Sequence, residues 1–263
     1  MDLPFNLSFW KNVMPVLYFL PWVIITEEIS VGNLRLVPYE RGVQPMILDG
    51  VTLADIDSIL GNYGNPTHSE KYLPAPVKKA TLVSWNDATH RPTDEDIQTN
   101  LQVGQQLAFC ALAKRRFRSN LDYCNADGYQ MTAQRFEVGN GSAAVMTTRR
   151  RDGCTINCLS GKATVPYFIR PFHVDNWLSL GIDNDLLNSL QRVDDPELKE
   201  RLAAAIDVFL RANTDAREVL EQTEIVLLRA AFETLLDASH KSDELVCRFV
   251  DHFKRDIPSP PMA

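Results

Sequence analysis

An α+β fold with its strands in front and its helices behind is predicted by three features of the sequence. Runs of β-branched and aromatic residues recur through the first 85 residues and again from 128 to 170. After Pro171 the pattern turns helical and stays so, with strong start signals. Strands and helices are segregated instead of alternating, which argues against a doubly wound sheet. The change near residue 172 predicts two domains. Residues 1–172 read as a mixed α/β domain suited to sensing or interaction, and 173–263 as a helical one.

The elements follow in order. The stretch VLYFLPWVIIT, ending at Thr26, and NLRLVPY (33–39) read as two strands joined through Gly32 and Asn33, with their prolines pointing to an edge or a bulge. TLADIDSILGNYG (52–64) fits a helix capped by Thr52 and closed near Gly61 or Gly64. KKATLVSW (78–85) is a further strand. Thr93, followed by Asp94, Glu95 and Asp96, opens a long helix that ends on Lys114, Arg115 and Arg116, so acids meet its positive end and bases its negative end. Gly139-Asn140-Gly141 marks a hairpin between YQMTAQRFEV and SAAVMTTRR, because these residues tolerate positive φ. CTINCLS and ATVPYFIR continue the strands. VDNWLSLGIDNDLLNSLQRV reads as a helix or a broken pair of helices. Asp195 and Pro196 are a cap and first residue for the next, and helices are predicted over 218–238 and 242–254.

Composition narrows the function classes. The chain has 263 residues, is 45% hydrophobic, and carries 27 basic against 34 acidic residues, a net charge of −7 that speaks against general coating of nucleic acid. Five cysteines form an odd, sparse set that reads as free thiols in a reducing compartment. The apolar run from Val13 to Ile25 is interrupted by Pro15 and Pro21 and falls short of the roughly 20 residues a membrane helix needs. Asp2 and a lone Lys11 precede it and no small-x-small site follows, so it reads as a buried strand in a cytoplasmic protein with no membrane role.

Few residues carry recognisable chemistry. Cys154 and Cys158 are four apart, which on a strand is about 13 Å, too far to share a zinc ion. No metal site and no cofactor motif is present. The five histidines have no metal spacing, and no GxSxG elbow or phosphate loop occurs. Two basic clusters are candidates for phosphate or RNA contact: Lys114, Arg115, Arg116 and Arg118 after the long helix, and Arg149, Arg150 and Arg151 after a strand. Between Lys114 and Arg151 eight basic residues face three acidic ones. A solvated helix terminus and a turn would explain the same residues. Arg248 and His252 stand four apart on one helix face, where a guanidinium could hold phosphate and the imidazole act as general acid or base.

In EIVLLRAAFETLLD the apolar residues are too dense for a narrow stripe, which predicts a helix enclosed within a bundle. AIDVFLRAN (205–213), then Glu221 and Glu224, then VLLRAAFETLLD (226–237) together resemble the front half of a HEPN domain, the helical bundle common in bacterial toxins and antiphage systems. LYFLPWVIITEEISVGNLRLVPY is similar to the opening of uncharacterised bacterial proteins that carry such a domain. The resemblance covers about 50 residues at the C-terminal side and about 25 at the N-terminal side. It implies a toxin or defence setting and metal-independent RNA cleavage through an Arg-x4-6-His element. No such element occurs in this chain, and Arg248 and His252 have three intervening residues instead. The expectation is therefore half a catalytic bundle. Two functions follow. One is a regulatory or interaction protein that self-associates or docks a partner through its C-terminal helices. The other is an RNA endonuclease whose motif lies beyond residue 263 or comes from a partner.

Overall fold

The computed structural model describes residues 15–43, 52–66, 74–85, 92–114, 126–135, 145–150, 153–158, 168–170, 178–179, 181–214, 220–238 and 242–253, with backbone alone at 145–150, 153–158, 178–179, 242, 252 and 253. The chain is α+β and divides into two compact units, residues 1–188 and 189–263. Gly139-Asn140-Gly141, Arg115, Arg116, Arg118 and Arg151 lie outside the described residues.

The first unit is built on a seven-stranded antiparallel sheet. Its strands are β1 (Val16–Leu20), β3 (Ile29–Val31), β4 (Leu34–Glu40), β7 (Lys79–Trp85), β8 (Thr132–Arg135), β9 (Val145–Arg150) and β10 (Gly153–Cys158), in the order β10-β9-β8-β1-β7-β4-β3. Two small sheets accompany it. One pairs β5 (Tyr63–Asn65) with β6 (Ala75–Pro76) and, in parallel, with β11 (Phe168–Ile169). The other pairs β2 (Val23–Ile24) in parallel with β12 (Leu178–Ser179).

Local chemistry explains the strand ends. Pro21 stops β1 because its ring offers no N–H to the ladder, and β1 is a central strand, not an edge. Pro38 sits inside β4, yet β3 pairs β4 only at Leu34 to Leu36, so the residue lacks a donor where β4 has run past its neighbour. Val31 faces Leu34 across a two-residue turn, and Gly32 takes φ 62° there, as the first position of a hairpin turn of this hand requires.

Both faces of the central sheet are covered. On one side lies helix α1 (Leu53–Leu60), closed by a capping box in which the Thr52 hydroxyl accepts from the Asp55 amide and the Asp55 carboxylate accepts from the Thr52 amide. Tyr39 of β4 donates its hydroxyl to Asp57 of α1 at 2.7 Å. Beside it Phe19 and Trp22 pack edge-on against Tyr63, which stacks on Phe168, so aromatic contacts bind the small sheet to β1.

The opposite face carries α2 (Asp94–Lys114), with Thr93 and Asp96 forming the same reciprocal cap. Asn100 of α2 donates to the Tyr18 hydroxyl at 3.0 Å. Where the helix crosses β8 it must be glycine: a Cβ on Gly104 would lie 2.8 Å from Met131 Cβ. A 3-10 turn over Ala126–Tyr129 leads into β8, which the sequence does not announce.

One segment departs from the sequence reading. Leu178 and Ser179 form β12, so the chain does not remain helical after Pro171. Helix α3 (Asn184–Gln191) starts only after Gly181, where Asp183 caps it by accepting from the Leu186 amide. Two strand residues are too few to show an alternating period within the apolar-rich run WLSLGI.

The second unit holds α4 (Pro196–Ala212), α5 (Glu221–Leu235) and α6 (Ser242–Phe253). Asp195 caps α4 by accepting from the Leu198 amide at 2.8 Å, with Pro196 at the first helical position. α4 and α5 pack side by side, burying Ala205, Ile206 and Ala212 of one helix with Ala231 and the C-cap residue Leu236 of the other. Among the described residues no helix is long and apolar enough to cross a membrane.

Two predictions follow from the packed sheet. The Gln134 side chain in β8 is 0% exposed, and neither its amide nitrogen nor its oxygen has a partner among the described residues. A buried unpaired amide costs about 1–3 kcal/mol, so Gln134→Met raises the urea midpoint, whereas a lowered midpoint would mean the amide is bonded in solution. Burial, with Asp183 alongside, pushes the Cys110 thiol up to about 12, against about 8.5 in an unfolded chain. The unfolded chain therefore loses this proton first. Stability is intact below about pH 8.5 and falls above it by up to about 1.4 kcal/mol per pH unit until the folded thiol titrates. Urea titrations from pH 8.5 to 10 will show a shallower decline in Cys110→Ala, and equal slopes would remove Cys110 as the cause.

Candidate functional site

Among the described basic residues, Lys114 is the exposed last residue of α2. Arg149 and Arg150 end β9, paired in register with Cys154 and Gly153. α2 meets β8 at Gly104 and Met131, next to the Thr132–Thr148 pair that leads into these arginines. Lys114 stands ten residues further along the helix, roughly 15 Å at 1.5 Å per residue. Arg149 and Arg150 are thus neighbours on one strand end, and Lys114 belongs to a different element. Cys154 and Cys158 both lie on β10. Among the described residues no group of three His, Cys, Asp or Glu converges.

Arg248 and His252 both fall on α6, one turn apart. The Arg248 guanidinium is already engaged. One nitrogen donates to the Leu236 carbonyl at 2.9 Å, another to Glu244 at 2.9 Å, and Asp237 lies 3.9 Å away. Leu236 is the C-cap of α5, so Arg248 supplies a donor to a carbonyl that the helix end leaves without one. Its geometry is that of a fastening between α5 and α6.

Asp237 is the pivot of that fastening. It takes φ 49°, the left-handed conformation usually reserved for glycine. The Ala238 amide then bonds the Glu233 carbonyl at 3.0 Å and the Asp237 amide that of Thr234 at 3.3 Å, a Schellman closure of α5. The Asp237 carboxylate lies 3.7 Å from Arg201 of α4 and 3.9 Å from Arg248 of α6. One residue thereby touches the charges of two helices while ending a third.

The principal feature of the second unit is an open apolar surface. The sequence reading places α5 inside a bundle; the structure buries only one edge of it. Ile225 is 67% exposed, and Val226, Phe232 and Leu235 are exposed as well. Ile225, Leu228, Phe232 and Leu235 are spaced three, four and three apart, one continuous stripe on a helix. On α6 Val246 is 59% exposed, with Phe249 and Val250 also open, and Phe249 meets Phe232 edge-on at 5.9 Å between ring centroids. Density of apolar residues marks α5 as buried, and that reading passes over the three-four-three spacing of this subset, which is the signal of a contact face.

Comparison of the chain with protein-family models, curated proteins and solved structures found no match.

Replacing Arg248 by lysine keeps the charge and removes the fork that joins the Leu236 carbonyl to Glu244. With the side chain partly solvated, the expected loss is about 1 kcal/mol, or roughly fivefold faster amide exchange across α6. Exchange in α4 should not change. Unaltered exchange in α6 would mean that another contact holds the helix.

Proposed function

We propose that this chain is a regulatory or interaction protein, related to HEPN-type toxin or defence proteins, that docks through α5 and α6. The observation that carries the reading is the apolar stripe on α5, continued at Phe249 on α6 and left open among the described residues. A soluble chain seldom leaves such a contiguous surface uncovered without a role in association. The engaged Arg248 guanidinium supports docking over RNA cleavage, since a phosphate would have to displace both the Leu236 carbonyl and Glu244. Self-association and a separate partner both suit the surface, and the proposed compartment is the cytoplasm. RNA remains the alternative ligand through Lys114, Arg149 and Arg150, with an Arg-x4-6-His element then supplied from outside these residues.

A hydrophobic dye whose fluorescence rises on exposed apolar surface tests the docking face directly. The full chain should enhance its emission, and Ile225→Glu combined with Val246→Glu should lower that signal at least threefold without loss of helicity. No enhancement by the unaltered chain would show the face to be covered and sink the reading. In parallel, single-stranded RNA incubated with the chain in a metal chelator should stay intact. Cleavage that disappears in His252→Ala would shift the case to the ribonuclease.

A further inference from the structure

Charge identifies the kind of partner that the α5–α6 surface fits. Between residues 221 and 253 the chain carries seven acidic and three basic residues. Two of the three bases are spent internally: Arg229 pairs with Glu233 at 2.8 Å, and Arg248 with Glu244 at 2.9 Å. Lys241 lies outside the described residues.

Glu221 precedes Ile225 by one turn and so stands at the N-terminal end of the apolar stripe, while Glu224, one turn before Leu228, borders its side. Asp243 stands three residues before Val246 on α6 and is exposed. Glu221, Glu224 and Asp243 have no basic partner among the described residues. The stripe is therefore apolar along its length and bordered by carboxylates that meet no base among the described residues.

This arrangement discriminates between occupants. A second copy would set the same carboxylates, Glu221, Glu224 and Asp243, on both sides of the seam, while Arg229 and Arg248 already pair with Glu233 and Glu244. An interface acidic on both sides opposes the dimer. An anionic lipid surface is repelled by the same carboxylates. A helix with its own apolar stripe and Lys or Arg on either side meets both requirements at once.

We propose that the α5–α6 face is a docking site for a basic amphipathic helix of another protein. The proposal rests on the docking reading above and adds the partner's chemistry to it. The apolar stripe supplies contact area, while Glu221, Glu224 and Asp243 select the partner's charge and speed its approach.

Two synthetic peptides with the same leucine stripe, one flanked by lysines and one by glutamates, test this against the full chain by fluorescence anisotropy. The lysine peptide should bind at least tenfold more tightly than the glutamate peptide, and its advantage should shrink as salt rises. Ile225→Asp should weaken it at least tenfold; Ile225 is exposed, so the fold should survive, as circular dichroism would verify. The triple variant Glu221→Gln, Glu224→Gln and Asp243→Asn should retain apolar binding and lose the preference between peptides.

Equal binding of the two peptides, or none, would overturn the basic partner. Sedimentation showing a concentration-dependent dimer that Ile225→Asp abolishes would overturn it in favour of a second copy. In either case a positive dye result leaves the docking surface standing, so the two readings fail separately.

Discussion

The first unit depends on the burial of β1 from both sides. All five of its residues are closed off from solvent, and a strand whose alternate side chains point to opposite faces can be closed only by a layer on each. That requirement dictates the arrangement around it. Phe19 draws in Tyr63 and the small sheet on one face, while Tyr18 meets Asn100 of α2 on the other. β7 and β8 then complete the backbone hydrogen bonding at its two edges. An antiparallel sheet with a solvated face would read as alternating polar and apolar residues. VLYFL does not alternate, and its uniform hydrophobicity is the imprint of two covering layers.

The second unit is organised by a different economy. α4 and α5 share a modest apolar contact, and the link from α5 to α6 relies on Asp237, Arg248 and one aromatic pair. Half-exposed charge pairs contribute little to stability, and a single edge-on ring contact adds about 1 kcal/mol. Apolar side chains that would thicken the core point outward instead. The same residues that leave the unit thinly packed give it a surface with a definite spacing and a definite charge, which connects its architecture to association.

Much of this was legible in the residues themselves. Thr52, Thr93 and Asp195 announce helix starts because a side-chain oxygen must meet amides that the first turn leaves unpaired. The strands over 33–39 and 78–85 follow from β-branched runs between breakers. What the sequence hid has physical causes. β12 is two residues long and exists because Val23 and Ile24 offer it a parallel neighbour distant in sequence. The buried amide of Gln134, unpaired among the described residues, belongs to a strand whose polar residues would otherwise mark a solvated face. In the candidate site, the spacing of Ile225, Leu228, Phe232 and Leu235 was readable, but whether that stripe faces a core or solvent depends on which helices are near. Arg248 illustrates the same limit: its distance from His252 is sequence information, and its occupation by the Leu236 carbonyl is tertiary.

The pairing of β1 with β8 has a consequence for how the chain is made. Val16 finds its partner at Arg135, so nearly 120 residues separate two strands that lie side by side. A ribosome delivers β1 early and β8 only after α1, β7 and α2, which leaves a wholly apolar strand with one unpaired edge for several seconds at ordinary elongation rates of roughly 5–20 residues per second. The helices of the second unit involve neighbours close in sequence and can form as soon as they emerge. β1 therefore waits through the synthesis of more than a hundred residues for the partner of its second edge, an interval in which a chaperone would keep that edge from pairing elsewhere.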